Sequence, residues 1–256
     1  MIDFVGAGAG AEDLITVRGR RLLEQADVIV YAGSLVNRKL LEVCKDGCEV
    51  HNSAYMTLDE VLKVMIHAER EGKRVVRLHT GDPCLYGAVK EQMDALSQAG
   101  ISYEVCPGVS SFCGAAAALK AEYTLPGLSQ SVIITRMAGR TPVPEREAIR
   151  EFAAHQTTMV IFLSTGLLNE LQQQLLAGGY HADTPAAIVY KATWPDEKIC
   201  RCTVADLAET AAREQITKTA LIVVGSVLDG TYQLSELYNP AFTTEFRQGS
   251  GGDSNG

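Results

Sequence analysis

The sequence predicts an α/β protein of two domains, each built on its own sheet, and three observations carry that expectation. Short apolar runs of strand length alternate with segments of helical periodicity from the N-terminus onward, the rhythm of strand–helix–strand units in a parallel sheet. After Leu125-Pro-Gly-Leu128, a stretch with turn chemistry, two strand candidates follow each other with no helix between them, the mark of a mixed sheet. The length, 256 residues, is enough for two cores of ordinary size. The expected layout is an N-terminal domain over 1–122 with a mostly parallel five-stranded sheet, a C-terminal domain over 123–238 with a mixed sheet, and a disordered tail over 239–256.

The elements follow in order. Ile2–Val5 reads as a strand, Leu14–Gln25 as a helix, Val28–Tyr31 as a strand and Asn37–Lys45 as a helix. A short strand at Glu49–His51, the helix Leu58–Glu71, the strand Arg74–His79, the helix Ala88–Gln98 and the strand Ser102–Cys106 complete the first sheet, and the alanine-rich Ser110–Ala121 reads as a helix. Beyond the boundary come the strand Val132–Thr135, a basic loop holding Arg136 and Arg140, the helix Glu145–His155, the strand Met159–Leu163 and the helix Leu167–Leu176. Ala187–Tyr190 and Lys198–Thr203, joined by Ala192-Thr-Trp-Pro-Asp196, predict an antiparallel hairpin. The helix Ala205–Glu214 and the strand Leu221–Val224 close the domain, and the stretch from Arg247 onward has no apolar residue.

Composition excludes several function classes. With 46% apolar and 21% charged residues the chain is neither fibrous nor dominantly disordered. A net charge of −8 gives no general attraction to nucleic acid or to anionic lipid, so any anionic ligand must be gripped locally. The longest apolar runs fall far short of the roughly 20 residues that span a bilayer, and Met1-Ile-Asp-Phe-Val5 carries no export signal; a cytosolic place is expected, with neither membrane nor nucleic acid as partner. Seven cysteines, an odd number, then read as reduced thiols, with Cys44, Cys84, Cys106, Cys113 and Cys200 expected to be small buried hydrophobes. The spacing Cys44-x-x-x-Cys48-x-x-His51 approaches an iron–sulfur loop but replaces the last thiolate by imidazole, and no fourth zinc ligand lies at a diagnostic spacing, so no metal is expected.

Three turns carry the chemistry. Gly6-Ala-Gly-Ala-Gly10 follows the first strand and lets main-chain N–H groups approach a ligand, but position 11 is Ala11 and the second strand ends in Tyr31-Ala-Gly33 without the acidic residue of a dinucleotide site. A dehydrogenase is thereby set aside. Leu78-His-Thr-Gly-Asp-Pro-Cys-Leu-Tyr-Gly87 follows the fourth strand, at the carboxyl edge where open α/β sheets bind ligands, and Pro83 makes a rigid turn of it. Cys106-Pro-Gly-Val-Ser-Ser-Phe112 leaves the fifth strand through a proline–glycine turn, and Ser110 or Ser111 opens the next helix.

These turns, in this order and at these strand ends, resemble the tetrapyrrole methylase family, which transfers methyl groups from S-adenosylmethionine to precorrin-type macrocycles. The resemblance covers residues 2 to about 228 and continues in Thr158-Met-Val-Ile-Phe-Leu163, Pro185-Ala-Ala-Ile-Val-Tyr-Lys-Ala-Thr193 and Thr219-Ala-Leu-Ile-Val-Val-Gly225. It implies two α/β domains with the methyl donor in a cleft between them, and commonly a homodimer. The aspartate and lysine that uroporphyrinogen methylases carry after the second and third strands fall here at Ala32-Gly33 and near Asn52, so no catalytic acid or base is carried over, and Ala9 stands where the family usually has proline. Tyr31-Ala-Gly-Ser-Leu35 and Asn52-Ser-Ala-Tyr-Met-Thr57 instead resemble the branch that methylates carbon 11 of precorrin-4 or cobalt-precorrin-4 in cobalamin biosynthesis.

The resemblance implies that Gly81, Asp82, Pro83, Leu85, Tyr86, Ser110 and Ser111 contact the donor, with Leu163, Ala192 and Ala220 meeting its adenosine from the second domain. Asp82 suits the sulfonium or the amino group of that ligand, or else stabilises its own turn. A macrocycle rich in carboxylates needs a local cationic rim, for which Arg18, Arg38, Lys39, Arg136, Arg140 and Lys191 are the candidates, and Tyr31, Tyr55, Met56 and Tyr86 offer apolar surface to the ring. Methylation of another ring carbon, diphthine synthase-like methylation of a protein, and a nucleotide-binding sensor without catalysis stay open as alternatives.

Overall fold

The apolar runs pair into two sheets. In the computed structural model, which describes residues 1–250, the first sheet has the order β3-β2-β4-β1-β5, formed by β1 (Ile2–Gly6), β2 (Val28–Tyr31), β3 (Glu49–Asn52), β4 (Val75–His79) and β5 (Tyr103–Cys106). All its pairings are parallel, with Ile2 opposite both Val75 and Tyr103 and Val28 opposite both Val75 and Glu49. Both faces are covered, which is why the central strands read as continuous apolar runs. On one face Val5, Ile29, Tyr31, Val76 and Leu78 pack with Leu23 of α1 (Val17–Gln25); on the other Ile2, Phe4, Val28, Val30 and Val75 pack with Val61 and Met65 of α2 (Leu58–Arg70) and Leu96 of α3 (Lys90–Gln98). Because the strands run the same way, the turns after β1, β4 and β5 all leave from one edge.

Helix boundaries follow their caps. Thr16 accepts from Gly19 N and caps α1, which begins three residues inside the expected start, and Thr57 with Glu60 forms a reciprocal capping box on α2. The helix α4 (Ser111–Leu119) begins after Ser110, which holds the N-cap position without a side-chain cap bond. The helix expected over Asn37–Lys45 is a 3-10 helix over Arg38–Val43, a form that chains use in short connecting pieces. The one expected over Glu145–His155 breaks at Ala148, whose backbone is extended, into a 3-10 turn at Glu145–Glu147 and the short α5 (Ile149–Ala153).

The second sheet has the order β6-β7-β10-β8-β9, from β6 (Val132–Arg136), β7 (Thr158–Phe162), β8 (Pro185–Tyr190), β9 (Lys198–Thr203) and β10 (Ala220–Val224). It is mixed: β6 runs parallel to β7, and β7 antiparallel to β10. With α5, α6 (Leu168–Ala177) and α7 (Leu207–Arg213), it buries Met159, Ile161, Leu171, Leu175 and Leu207. The chain divides into two compact units, the first comprising Met1–Lys120 with Val189–Ile199 and Ile216–Leu221, the second the remainder. The loop between β8 and β9 thus belongs to the unit of the first sheet. Of the tail expected over 239–256, residues 251–256 lie outside the described residues; within 239–250 the chain forms exposed turns in which the Arg247 guanidinium donates to the carbonyls of Leu237 and Asn239. No helix among the described residues is long and apolar enough to cross a membrane.

The cysteines correct one expectation. All seven are thiols outside any disulfide, but of the five expected to be buried only Cys106 is; Cys44 and Cys200 are half-buried, and Cys84 and Cys113 are exposed because they sit on the turn after β4 and the first turn of α4.

Candidate functional site

The turns after β1, β4 and β5 are knotted together by main chain. Ala7 N donates to His79 O at 2.7 Å, Gly8 N to Gly81 O at 3.2 Å, and Gly81 N to Gly8 O at 3.1 Å, a two-residue bridge at the edge of the sheet. Gly8 and Gly81 stand at φ +86 and +60, which glycine adopts without a Cβ clash. Gly108 admits no side chain at all: a Cβ there would lie 2.2 Å from Gly81 O and 2.8 Å from Gly6 Cα. The three turns touch backbone to backbone.

Asp82 ties the same turns by its side chain. Its Oδ1 accepts from Cys84 N at 2.8 Å, closing an Asx turn, and its Oδ2 accepts from Gly108 N at 2.8 Å across to the β5 turn. Burial opposes ionisation of this carboxyl, but the hydrogen bonds from Cys84 and Gly108 outweigh it and hold the group below its ordinary value, as a carboxylate. The Cys84 thiol, hydrogen-bonded to that carboxylate, is pushed up in turn. Around this clamp the structure gathers Gly81, Pro83 and Ser110, all buried, with Leu85 and Ser111 half-buried and Tyr86 exposed at φ +55. Ser110 Cα and Ser111 N lie 3.5 Å from where a Cβ of Gly81 would stand.

The β8–β9 loop joins this assembly. Ala192 is buried, and a Cβ on Gly114 of α4 would fall 3.5 Å from the Ala192 Cβ and 2.8 Å from that of Ala9. Lys191 N donates to Thr219 O at 3.0 Å, beside buried Ala220 at the start of β10. Lys191 Nζ sits 2.5 Å from Asp196 Oδ2 and over the rings of Tyr190 and Trp194, and the bond to Asp196 raises its pKa.

The candidate cations and ring-facing residues differ in what they contact within their own units. Arg38 is exposed and donates to the hydroxyl of buried Tyr31 at 3.4 Å, a bond that raises its pKa. Lys39 is paired with Glu12 at 3.4 Å, and Arg18 is exposed on the first turn of α1. Tyr55 is 87% exposed, surface that its own fold leaves uncovered, whereas Met56 packs against the core of the first sheet. In the second unit, Arg136 donates to the carbonyls of Met137, Thr141 and Pro142 and so closes its own loop, Arg140 is exposed on that loop, and Leu163 is 66% exposed at φ +53.

Beneath the turn, β4 carries two buried ionisable groups. Arg77 donates to Gln92 Oε1 at 2.9 Å and to Val30 O at 3.1 Å, and burial lowers it to about 10. His79, stacked on Phe4, is lowered to about 3 by burial and by Arg77, so it is neutral, and its Nε2 has no hydrogen-bond partner among the described residues. Elsewhere, burial pushes the Cys48 thiol up to about 11, unfavourable to a metal-binding thiolate, and no group of three or more metal-ligating side chains occurs among the described residues.

The sequence reading left out Gly108, Asn37, Thr193 and Trp194 as site residues. Gly108 was legible as the glycine of a proline–glycine turn at a strand end; the other three meet the first glycine turn only in the fold.

Comparison with known proteins bears on what these turns hold. The model of the tetrapyrrole (corrin/porphyrin) methylases matches residues 1–208. The cobalt-precorrin-4 C(11)-methyltransferase of Methanocaldococcus jannaschii is 54% identical over 245 residues, 95% of each chain. The X-ray structure of a cobalamin biosynthetic enzyme, cobalt precorrin-4 methyltransferase, superposes with a TM-score of 0.87 at 49% identity, covering 89% of this chain and 95% of that one. A uroporphyrin-III C-methyl transferase from Thermus thermophilus, solved in complex with S-adenyl homocysteine, gives a TM-score of 0.75 at 26% identity over 89% of this chain and 93% of its own.

Proposed function

We propose, from the premise that this chain belongs to the tetrapyrrole methylase family, that it is the S-adenosylmethionine-dependent C-methyltransferase of cobalamin biosynthesis that converts cobalt-precorrin-4 to cobalt-precorrin-5 by methylating carbon 11. One observation carries the reading: the likeness to a cobalt-precorrin-4 C(11)-methyltransferase runs nearly the whole length of both chains and is not confined to the glycine turns. Metal-free precorrin-4 is the second acceptor of the same kind.

The first unit's residues fit such a donor. A cradle in which Gly6 and Gly108 have no space for a Cβ and Gly81 takes a left-handed φ leaves main-chain groups to face a ligand, and the Asp82 clamp fixes two of its three turns. The turn Gly81–Tyr86, with Ser110 and Ser111, would hold the methionine part, and Ala192 and Ala220 offer small apolar surface for adenosine. When bound, S-adenosylmethionine supplies a methyl group on a sulfonium that a nucleophilic ring carbon displaces in line. The protein's part is orientation, which contributes up to ~7–11 kcal/mol in well-aligned reactions and asks for no side-chain acid or base. Arg38, with its guanidinium at the edge of β2, and exposed Tyr55 are the first residues to assign to the acceptor, Arg38 to a ring carboxylate and Tyr55 to the ring face. A cytosolic homodimer is part of the proposal, supported by the family resemblance.

The test is product analysis. Purified protein is incubated with methyl-labelled S-adenosylmethionine and cobalt-precorrin-4, and the product is read by mass spectrometry and NMR. One label, on carbon 11, is expected. A label on another carbon refutes the regiochemistry, and an unlabelled macrocycle refutes the activity.

A further inference from the structure

One peptide of the first glycine turn is held from both sides by side chains distant in sequence. The Gly10 carbonyl accepts from Asn37 Nδ2 at 2.9 Å, and the N–H of that same peptide, on Ala11, donates to Thr193 Oγ1 at 2.9 Å. Over Gly10 lies Trp194, the only tryptophan of the chain: a Cβ on Gly10, which stands at φ +152, would fall 2.3 Å from Trp194 Cδ1. None of the three residues is among those assigned above to donor or acceptor.

Both side chains are committed more deeply than surface contacts require. Asn37 uses its other amide atom as well, Oδ1 accepting from Lys39 N at 3.1 Å, so one amide bridges the 3-10 helix and the glycine turn. Thr193 stands at φ +67, a left-handed conformation that β-branched residues rarely adopt and that glycine or asparagine takes with far less strain. It is held there by a bond from its N to Glu197 Oε2 at 2.6 Å. What threonine adds at that strained position is a hydroxyl, and the hydroxyl caps Ala11, which begins the 3-10 turn Glu12–Leu14 with no side-chain cap of its own. A peptide next to glycine reorients easily, so a turn meant to present main-chain groups to a ligand needs such a restraint.

We propose that Asn37 and Thr193 are positioning residues for the methyl donor: together they fix the plane of the Gly10–Ala11 peptide, so the turn after β1 meets the donor already in its binding conformation. The inference rests on the reading of these turns as the donor site. It concerns affinity for the donor, and neither the acceptor nor the rate of transfer once both are bound.

Three substitutions separate the hydroxyl and the amide from mere packing. Thr193→Val keeps the branched shape and removes the hydroxyl, Thr193→Ser restores it, and Asn37→Asp keeps the cap on Lys39 N while facing the Gly10 carbonyl with an acceptor. Calorimetry with S-adenosylhomocysteine, the demethylated donor, is expected to show binding weakened about tenfold in T193V and in N37D and within about twofold of wild type in T193S. The double variant N37D/T193V is expected to lose little beyond either single one, because both act on one peptide. In assays with cobalt-precorrin-4, KM for the donor rises while kcat at saturating donor stays within about twofold. Wild-type affinity in both T193V and N37D, or weakening in T193S equal to that in T193V, overturns the proposal; should T193V fail to fold, N37D decides alone. Wild-type protein that does not bind S-adenosylhomocysteine overturns the donor-site reading itself, an outcome distinct from wild-type binding that the variants leave unchanged.

Discussion

Replacing Asp82 by asparagine probes the clamp that joins two of the candidate turns. The carboxylate accepts from two main-chain N–H groups, Cys84 N and Gly108 N, each at 2.8 Å. Asparagine has one acceptor oxygen and turns its amide donors toward the other N–H, so one of the two bonds is lost. A hydrogen bond to a charged acceptor contributes ~1.5–3 kcal/mol, and because Asp82 is only half-buried the lower end applies: ~1.5 kcal/mol for D82N and ~3 kcal/mol for D82A, which loses both. The pH dependence has a definite sign. The folded carboxyl titrates below its unfolded value of 3.8, so its stabilisation is complete above that value and fades as the pH falls through the lower, folded one. Hydrogen exchange at the Gly108 amide, normalised to its intrinsic rate at each pH, reads the effect locally. Protection in D82N is expected to fall about tenfold between roughly pH 5 and 8, with the gap to wild type closing below about pH 4. A gap that is absent at pH 7, or unchanged down to pH 3, refutes the clamp.

Other outcomes follow from the same contacts. Gly108→Ala forces a Cβ onto Gly81 O and Gly6 Cα and is expected to cost more than ~3 kcal/mol in chemical melts, whereas Gly100→Ala, at φ +70 with open space around it, should cost only ~1 kcal/mol. Leu163→Gly relieves a left-handed leucine that is largely exposed and is expected to raise stability by ~1 kcal/mol in urea melts. His79 is neutral in the fold with its pKa at about 3 against 6.5 unfolded, so stability is lost as the pH drops below 6.5, by ~3 kcal/mol at about pH 4.5, and His79→Phe should flatten that slope. An unchanged acid limb in urea melts between pH 7 and 4.5 would contradict the buried neutral histidine.

The positions of the strands and the edge that carries the turns were legible because each rests on a local signal. Apolar runs gave β1, β2 and β4, and Gly81-Asp-Pro83 marked the turn after β4 through conformational demands that no distant contact alters. What the pattern could not give was the partner of each polar atom. Asp82 was read as either a ligand group or a turn former, and only the fold brings Gly108 N to its second oxygen. Arg136 is a substrate candidate as a basic residue in a loop, and only the fold shows its guanidinium donating to three carbonyls of that loop. Met56 sits in a segment that includes exposed Tyr55 but turns toward the core. The exposure of Cys84 and Cys113 was missed because cysteine content says nothing of which side of a turn a thiol occupies.

The two kinds of surface around the first sheet suggest how one architecture serves acceptors of different shape. The glycine turns are fixed by backbone against backbone, where Gly6 and Gly108 leave no space for a side chain without displacing main chain, and Gly81 stands at a φ of +60 that a side chain strains. Substitution there is limited by sterics before chemistry is considered. At the edge of β2 and β3 the constraint eases: Leu35 and Tyr55 are exposed large side chains, and Arg38 makes its one described side-chain bond to Tyr31. On the proposed function, the donor is held by geometry that side chains hardly touch, while choice of ring carbon is left to exposed side chains such as Leu35 and Tyr55. Exchanging Leu35 or Tyr55 should accordingly alter which macrocycle, or which carbon, is methylated and leave S-adenosylhomocysteine affinity within about twofold of wild type, since affinity tracks only the contacts removed. A Tyr55→Ala variant that loses donor binding and acceptor binding together would show that the two surfaces are not separable.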